Sequence, residues 1–126
     1  MFDAIPINGQ TWLICGGRDF ADAGMFASAM GDLVRLRGMP ECVVNGGALG
    51  ADMMAKEWAE RHAIEARSVA ADWGLHGKAA GPIRNQTMLD KYAPDFVVAF
   101  PGGRGTADMV ERSRKAGVDV AEIKLS

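Results

Sequence analysis

The chain has 126 residues, 48% of them hydrophobic and 24% charged, and carries a formal charge of −2 at pH 7. A chain of this length makes one domain, residues 1 to 126, and buries roughly two-thirds of its unfolded surface around one core. The slightly acidic balance excludes a surface built for broad nucleic-acid binding, which neutralises many phosphates with Lys and Arg, and no stretch approaches the ~20 apolar residues of a membrane span.

Residues 1 to 10, with Pro6, Asn8 and Gly9, read as a loose lead-in. They lack the basic start and apolar run of a secretion signal, which predicts a cytoplasmic protein. Thr11 to Cys15 is the first strand. It runs into Gly16-Gly17-Arg18-Asp19-Phe20, a glycine turn that sets a cation and a carboxylate beside the loop. From Asp22 the pairs Met25 and Phe26, Ala29 and Met30, Leu33 and Val34 recur every four residues, giving one apolar helical face that Gly38 and Pro40 close. Glu41 to Asn45 is the second strand, and it enters a second glycine turn, Gly46-Gly47-Ala48-Leu49-Gly50-Ala51-Asp52. The helix that follows carries Ala51, Ala55 and Ala59 beside Met54 and Trp58 and closes near His62. Ile64 to Val69 reads as a third strand, exposed because Glu65 and Arg67 alternate with Ala66 and Ser68.

Residues 70 to 81 are the least regular stretch, and Asp72, Trp73, His76 and Lys78 crowd into it. Such a loop is either solvated or ligand-facing. Pro82 fits the first turn of a helix with Ile83, Met88, Leu89 and Tyr92 as its apolar contacts. Arg84 and Asn85 then sit near the positive end of that helix, where a cation opposes the dipole unless an anion joins it. Phe96 to Phe100 is too short for a helix and suits a strand buried on both faces of a parallel sheet. Pro101 stops it, and Gly102, Gly103 and Gly105 let a ligand approach main-chain N–H groups. Thr106 is the predicted N-cap of a helix reaching Ala116, whose free amides favour an anion. Gly117 ends it, and Val118 to Ile123 is an edge strand.

Five strands alternating with four helices predict a three-layer α/β fold, a doubly wound Rossmann-like parallel sheet in the order 3-2-1-4-5. In that order the loops after Cys15 and Phe100 border the crevice where such sheets receive ligands, and the loop after Asn45 lies one strand away. Three glycine turns at one edge point to a phosphate-bearing ligand. The G-x-G-x-x-G pattern is absent after the first strand and no acidic residue ends the second, which disfavours an NAD enzyme. Gly77-Lys78 is followed by Ala79, which excludes a P-loop ATPase. Cys15 and Cys42 lie in apolar strand-like runs and read as reduced core residues, and His62 and His76 have no metal-ligand spacing. Neither a metal nor a cofactor is expected.

Gly16-Gly17-Arg18-Asp19-Phe20, Gly46-Gly47-Ala48-x-Gly50-Ala51-Asp52, Asp72-Trp73, Gly77-Lys78, Gly81-Pro-Ile-Arg84-Asn85 and Pro101-Gly102-Gly103-x-Gly105-Thr106 together resemble the YspA-related branch of the SLOG superfamily, over residues 15 to about 110. That superfamily also holds the LONELY GUY phosphoribohydrolases, DNA-processing protein A and molybdenum-cofactor carrier-like proteins. The resemblance implies a small Rossmann-like domain that binds nucleotides or nucleotide-derived ligands, often as a homodimer. The hydrolase relatives use an Arg before the third helix and a Glu three residues after the Thr of Pro-Gly-Gly-x-Gly-Thr. Arg84 matches the Arg, Asn85 replaces the Lys that usually follows, and Met109 occupies the Glu position. A thioether cannot transfer a proton, and the adjacent Asp108 is turned away from that position by ~100° of helix.

Two readings follow. In the first, the protein binds a nucleotide-derived small molecule without catalysis. The glycine turns at Gly16 and Gly17, Gly46 and Gly47, and Gly102 to Thr106 hold it, and Arg18, Lys78, Arg84 and Arg104 balance its charge. Trp73 stacks on a base or anchors its loop, Arg104 is a ligand or a solvated turn residue, and Asp19 and Asp52 are equally readable as helix caps, the better reading for Asp52. In the second, the protein is an N-glycosidase with a displaced acid: Asp19, Asp72 or Asp108 protonates the leaving base while Arg84 fixes the phosphate. A scaffold that binds only protein leaves all three glycine loops unexplained. Met25, Met30, Met53, Met54 and Trp58 lie on helices whose second faces could pair in a dimer, although core packing accounts for most of them.

Overall fold

A computed structural model describes residues 9–124. The part of the lead-in holding Pro6 and Asn8 lies outside them. In chain order the elements are β1 (Thr11–Cys15), α1 (Ala23–Arg37), β2 (Cys42–Asn45), α2 (Ala51–Arg61), β3 (Glu65–Ser68), α3 (Trp73–His76), a 3-10 turn (Gly77–Ala79), α4 (Ala80–Tyr92), β4 (Phe96–Ala99), α5 (Arg104–Lys115) and β5 (Asp119–Glu122). The five strands form one sheet in the order β3-β2-β1-β4-β5. Every neighbouring pair is parallel, and Leu13 at the centre sits beside Val44 on one side and Val97 on the other. This is the predicted order, with helices on both faces.

Side-chain alternation along the strands separates two apolar layers. Trp12 and Ile14 face one of them, closed by Phe26, Met30 and Val34 of α1 and by Ala55, Trp58 and Ala59 of α2. Leu13 and Cys15 face the other, closed by Met88 and Leu89 of α4 and by Met109 and Val110 of α5. The rings of Phe26 and Phe100 stack with centroids 4.7 Å apart, fixing α1 under the end of β4. Burying an aliphatic side chain such as Leu13 completely is worth about 1.5–3 kcal/mol. Met30 and Trp58 belong to the first layer, while Met53 is exposed. The edge strands β3 and β5 turn Glu65, Arg67, Asp119 and Glu122 outward, which discourages pairing with a further strand. Among the described residues no helix is long and apolar enough to cross a membrane.

Two local expectations need correction. Residues 70–81 are not an irregular loop throughout, because the Asp72 carboxylate accepts the Leu75 amide at 3.0 Å and caps the single turn α3. The turn has no apolar periodicity, so only its cap could have announced it. It leads through the 3-10 turn into α4, which starts two residues before Pro82. The proline stays in the first turn, where its missing N–H has no intrahelical partner to lose. The second correction concerns α5, which begins at Arg104 with Gly103 as its N-cap. Thr106 therefore lies inside the first turn.

Candidate functional site

The loops after β1, β2 and β4 meet at the carboxyl edge of the sheet and are fastened to each other through main-chain atoms. The Gly17 amide donates to the Pro101 carbonyl at 2.9 Å, and the Ala51 amide donates to the Gly17 carbonyl at 3.2 Å. Gly50 carries φ +74°, and a Cβ there would overlap the carbonyls of Gly17 and Arg18, so only glycine allows this closure. Gly103 and Gly105 differ, because a Cβ at either would meet nothing within 4 Å. Packing does not demand these two glycines.

Together the loops wall a crevice of about 810 Å³. The structure brings the three predicted turns to it: Gly16, Gly17, Arg18 and Asp19 from the first, Gly46 and Gly47 from the second, and Gly102, Gly103, Gly105 and Thr106 from the third. Trp73, Arg84 and Asn85 complete the wall from the α3–α4 side. Lys78 and Arg104 are exposed and do not line it, and neither does Asp108.

Arg84 is half-buried near the start of α4. Its Nη1 donates to the Gly46 carbonyl at 2.6 Å and its Nε to the Asn85 Oδ1 at 3.1 Å. Asn85 is only 3% exposed, and its Nδ2 donates to the Gly105 carbonyl at 3.1 Å and to the Asp108 Oδ2 at 3.0 Å. One amide thus orients the guanidinium and ties α4 to the first turn of α5. In sequence, Asn85 is marked by the Gly81-Pro-Ile-Arg84-Asn85 motif, by the Lys it replaces and by its place near the start of a helix, none of which reveals its hydrogen-bond partners. Asn45 braces the second loop in a similar way, its Oδ1 accepting the Gly47 amide at 2.8 Å and the Ser68 hydroxyl at 2.9 Å.

Asp52 corrects the cap reading. The N-cap of α2 is Gly50, and the Asp52 Oδ2 instead accepts the Ala48 amide at 3.1 Å, drawing the second loop over its own carboxylate. Asp52 is 6% exposed and lines the crevice. Burial raises its carboxyl above the usual range, against the opposing pull of the Ala48 amide, the Arg84 guanidinium and the Gly46 amide. Cys15 also lines the crevice, and burial, with the Asp52 charge adding to it and Arg84 opposing, pushes its thiol up to about 12.

Asp108 faces a separate groove between α4 and α5, beside Gln86, Glu111 and Arg112. The Arg112 Nε donates to its Oδ2 at 2.8 Å. Burial alone would raise this carboxyl, but the hydrogen bonds from Arg112 and Asn85 and the Arg112 charge outweigh it and hold it below the usual range. Met109 is 1% exposed in the second apolar layer. Asp72 is occupied in capping α3. Asp19, on the exposed lip, and Asp52, in the wall, are the carboxylates that line the crevice among the described residues.

A five-stranded parallel sheet in this order, with a glycine-walled crevice at its switch point, defines a Rossmann-like α/β protein whose crevice lies where such sheets receive ligands. Residues 13–76 match the model of the family described as YspA, cpYpsA-related SLOG family. Gene 61 protein of Mycobacterium phage D29 is 37% identical over 115 residues, covering 86% of this chain and 91% of that protein. The chain belongs to the YspA, cpYpsA-related SLOG family.

Proposed function

We propose that the protein binds a phosphate-bearing, nucleotide-derived small molecule in the crevice and acts as a sensor or carrier of it without turning it over. The observation that carries this reading is the Arg84 guanidinium, held by Gly46 and Asn85 in the same crevice as the open glycines at the start of α5. The N-cap Gly103 supplies no side-chain hydrogen bond to the first-turn amides of that helix. Free amides, a positive dipole end and a fixed cation are the elements of a phosphate site. A volume of about 810 Å³ suits a ligand larger than phosphate alone. Trp73, 57% exposed at the rim, offers an aromatic face to a base.

The glycosidase reading asks for a carboxylic acid at the sugar. Asp108 is ion-paired outside the crevice, Asp72 caps α3, Asp19 stands on the exposed lip, the Asp52 carboxylate is engaged by the Ala48 amide and the Met109 side chain is in the core, which favours binding without turnover. Native mass spectrometry with nucleoside monophosphates, nucleoside diphosphates and ADP-ribose tests the proposal. An intact ligand on the wild type, lost on Arg84→Ala, is the expected result, and the same spectra report whether the protein forms the homodimer that the family resemblance implies. Release of free base with ribose phosphate left behind would replace this reading with the hydrolase. No complex at millimolar ligand would overturn the phosphate site itself.

A further inference from the structure

The charged lining of the crevice does not sum to a cation. Arg18 and Arg84 line it on the positive side, Asp19 and Asp52 on the negative. Arg18 and Asp19 are exposed on the lip, where water and salt screen them. The inner pair is Arg84 and Asp52, one half-buried and the other buried. Gly46 lies between them, since a Cβ there would overlap the guanidinium and stand 2.9 Å from the Asp52 Oδ2. An anion that reaches Arg84 therefore meets a carboxylate.

We infer that Asp52 is the residue that sets which anions the crevice accepts, taking up a proton when a doubly charged group binds beside Arg84 and disfavouring such groups at neutral pH relative to singly charged, diester-like phosphates. The inference rests on the anion-binding reading of the crevice. Like charges brought together out of water repel strongly, and protonating the carboxylate relieves the repulsion at least cost. The surroundings leave Asp52 as the group that gives way. From β1 it faces the Cys15 thiol, which is already protonated. From its own loop it faces the amides of Gly46 and Ala48, and from α4 the fixed charge of Arg84. The loop after β4 brings no ionisable side chain to the crevice lining. Burial has already moved the Asp52 carboxyl toward protonation before any ligand arrives.

The test uses probes whose own charge does not change with pH: inorganic sulfate as the dianion and methyl sulfate as the monoanion. Titration calorimetry of the wild type near pH 5 and near pH 8, in buffers of different ionisation enthalpy, reports affinity and proton uptake together. Sulfate affinity is expected to rise about fivefold or more on acidification, with a fraction of a proton taken up per sulfate, while methyl sulfate changes less. Asp52→Asn is expected to bind sulfate about tenfold more tightly near pH 8 and to lose the proton uptake. Sulfate binding with no proton uptake, or an Asp52→Asn variant that binds sulfate no better, overturns the inference and leaves the crevice an anion site. No sulfate binding to the wild type at high millimolar concentration overturns the inference and the anion-site reading together. If Asp52→Asn does not fold, the wild-type proton count still decides.

Discussion

The Arg84 Nη1 donates to the carbonyl of Gly46 across 38 residues of sequence, at 2.6 Å. The contact fixes a cation against the second glycine loop, and it exists because residue 46 has no side chain. Gly46→Ala is expected to fold and to bind anions about tenfold more weakly, because its Cβ would displace the guanidinium. Calorimetry beside thermal unfolding separates the two effects. Unchanged affinity would mean that Arg84 does not hold the ligand.

Asn85 uses three hydrogen bonds while almost fully buried. Asn85→Ala leaves the Gly105 carbonyl, the Arg84 Nε and one Asp108 contact without their partner. A loss of about 1–3 kcal/mol in urea unfolding is expected. A loss below about 0.5 kcal/mol would show that water replaces the amide without penalty.

The glycines of the crevice divide into two kinds that substitution distinguishes. Gly50→Ala forces a Cβ into the carbonyls of Gly17 and Arg18 at positive φ and should cost about 2–4 kcal/mol. Gly105→Ala meets open space inside α5 and should leave stability unchanged or raise it by up to about 1 kcal/mol. Any loss is expected in ligand affinity alone. Equal affinity for Gly105→Ala and wild type would remove the third loop from the binding site.

Much of this architecture is legible in the residues, and its limits are physical. The period-four pairs of α1 and the short β-branched run of β4 identify their elements because burial on one face or on two leaves different patterns. The three turns converge as expected because parallel strands place their outgoing loops at one edge. The roles of Asp52 and Asn85 are not legible in sequence, since each depends on partners up to 32 positions away that are adjacent only in the fold. Thr106 reads as a cap because a Thr after glycine looks like a helix start, whereas Gly103 takes that position without any side chain. Asp108 and Met109 show how one helix step separates surface from core.

Both cysteines are buried, and the Cys15 thiol is pushed up to about 12 by burial and the Asp52 charge. The thiolate is the reactive form. Iodoacetamide near pH 8 is expected to leave Cys15 unmodified in the native protein and to label it fully in denaturant. Rapid native labelling, read by intact mass, would mean that the crevice floor opens to solvent.

The lowered Asp108 carboxyl gives stability a defined pH dependence. Its contribution is present above the unfolded carboxylate value of about 3.9 and is lost as pH falls through the lower native one. Asp108→Asn should therefore melt below the wild type at neutral pH, and the gap should close as pH drops below that of the unfolded group. A gap that widens in acid would show the ion pair with Arg112 to be unimportant.

The knot of amides and carbonyls linking Gly17, Pro101 and Ala51 involves no side chain except where glycine is required to leave room. Heritable change at the rim, at Arg18, Ala48, Ala71 or Trp73, can therefore alter what the crevice admits while the knot stays tied. Related chains can diverge in ligand preference along this rim without passing through unfolded ancestors, and an engineer can follow the same route with a library confined to those four positions.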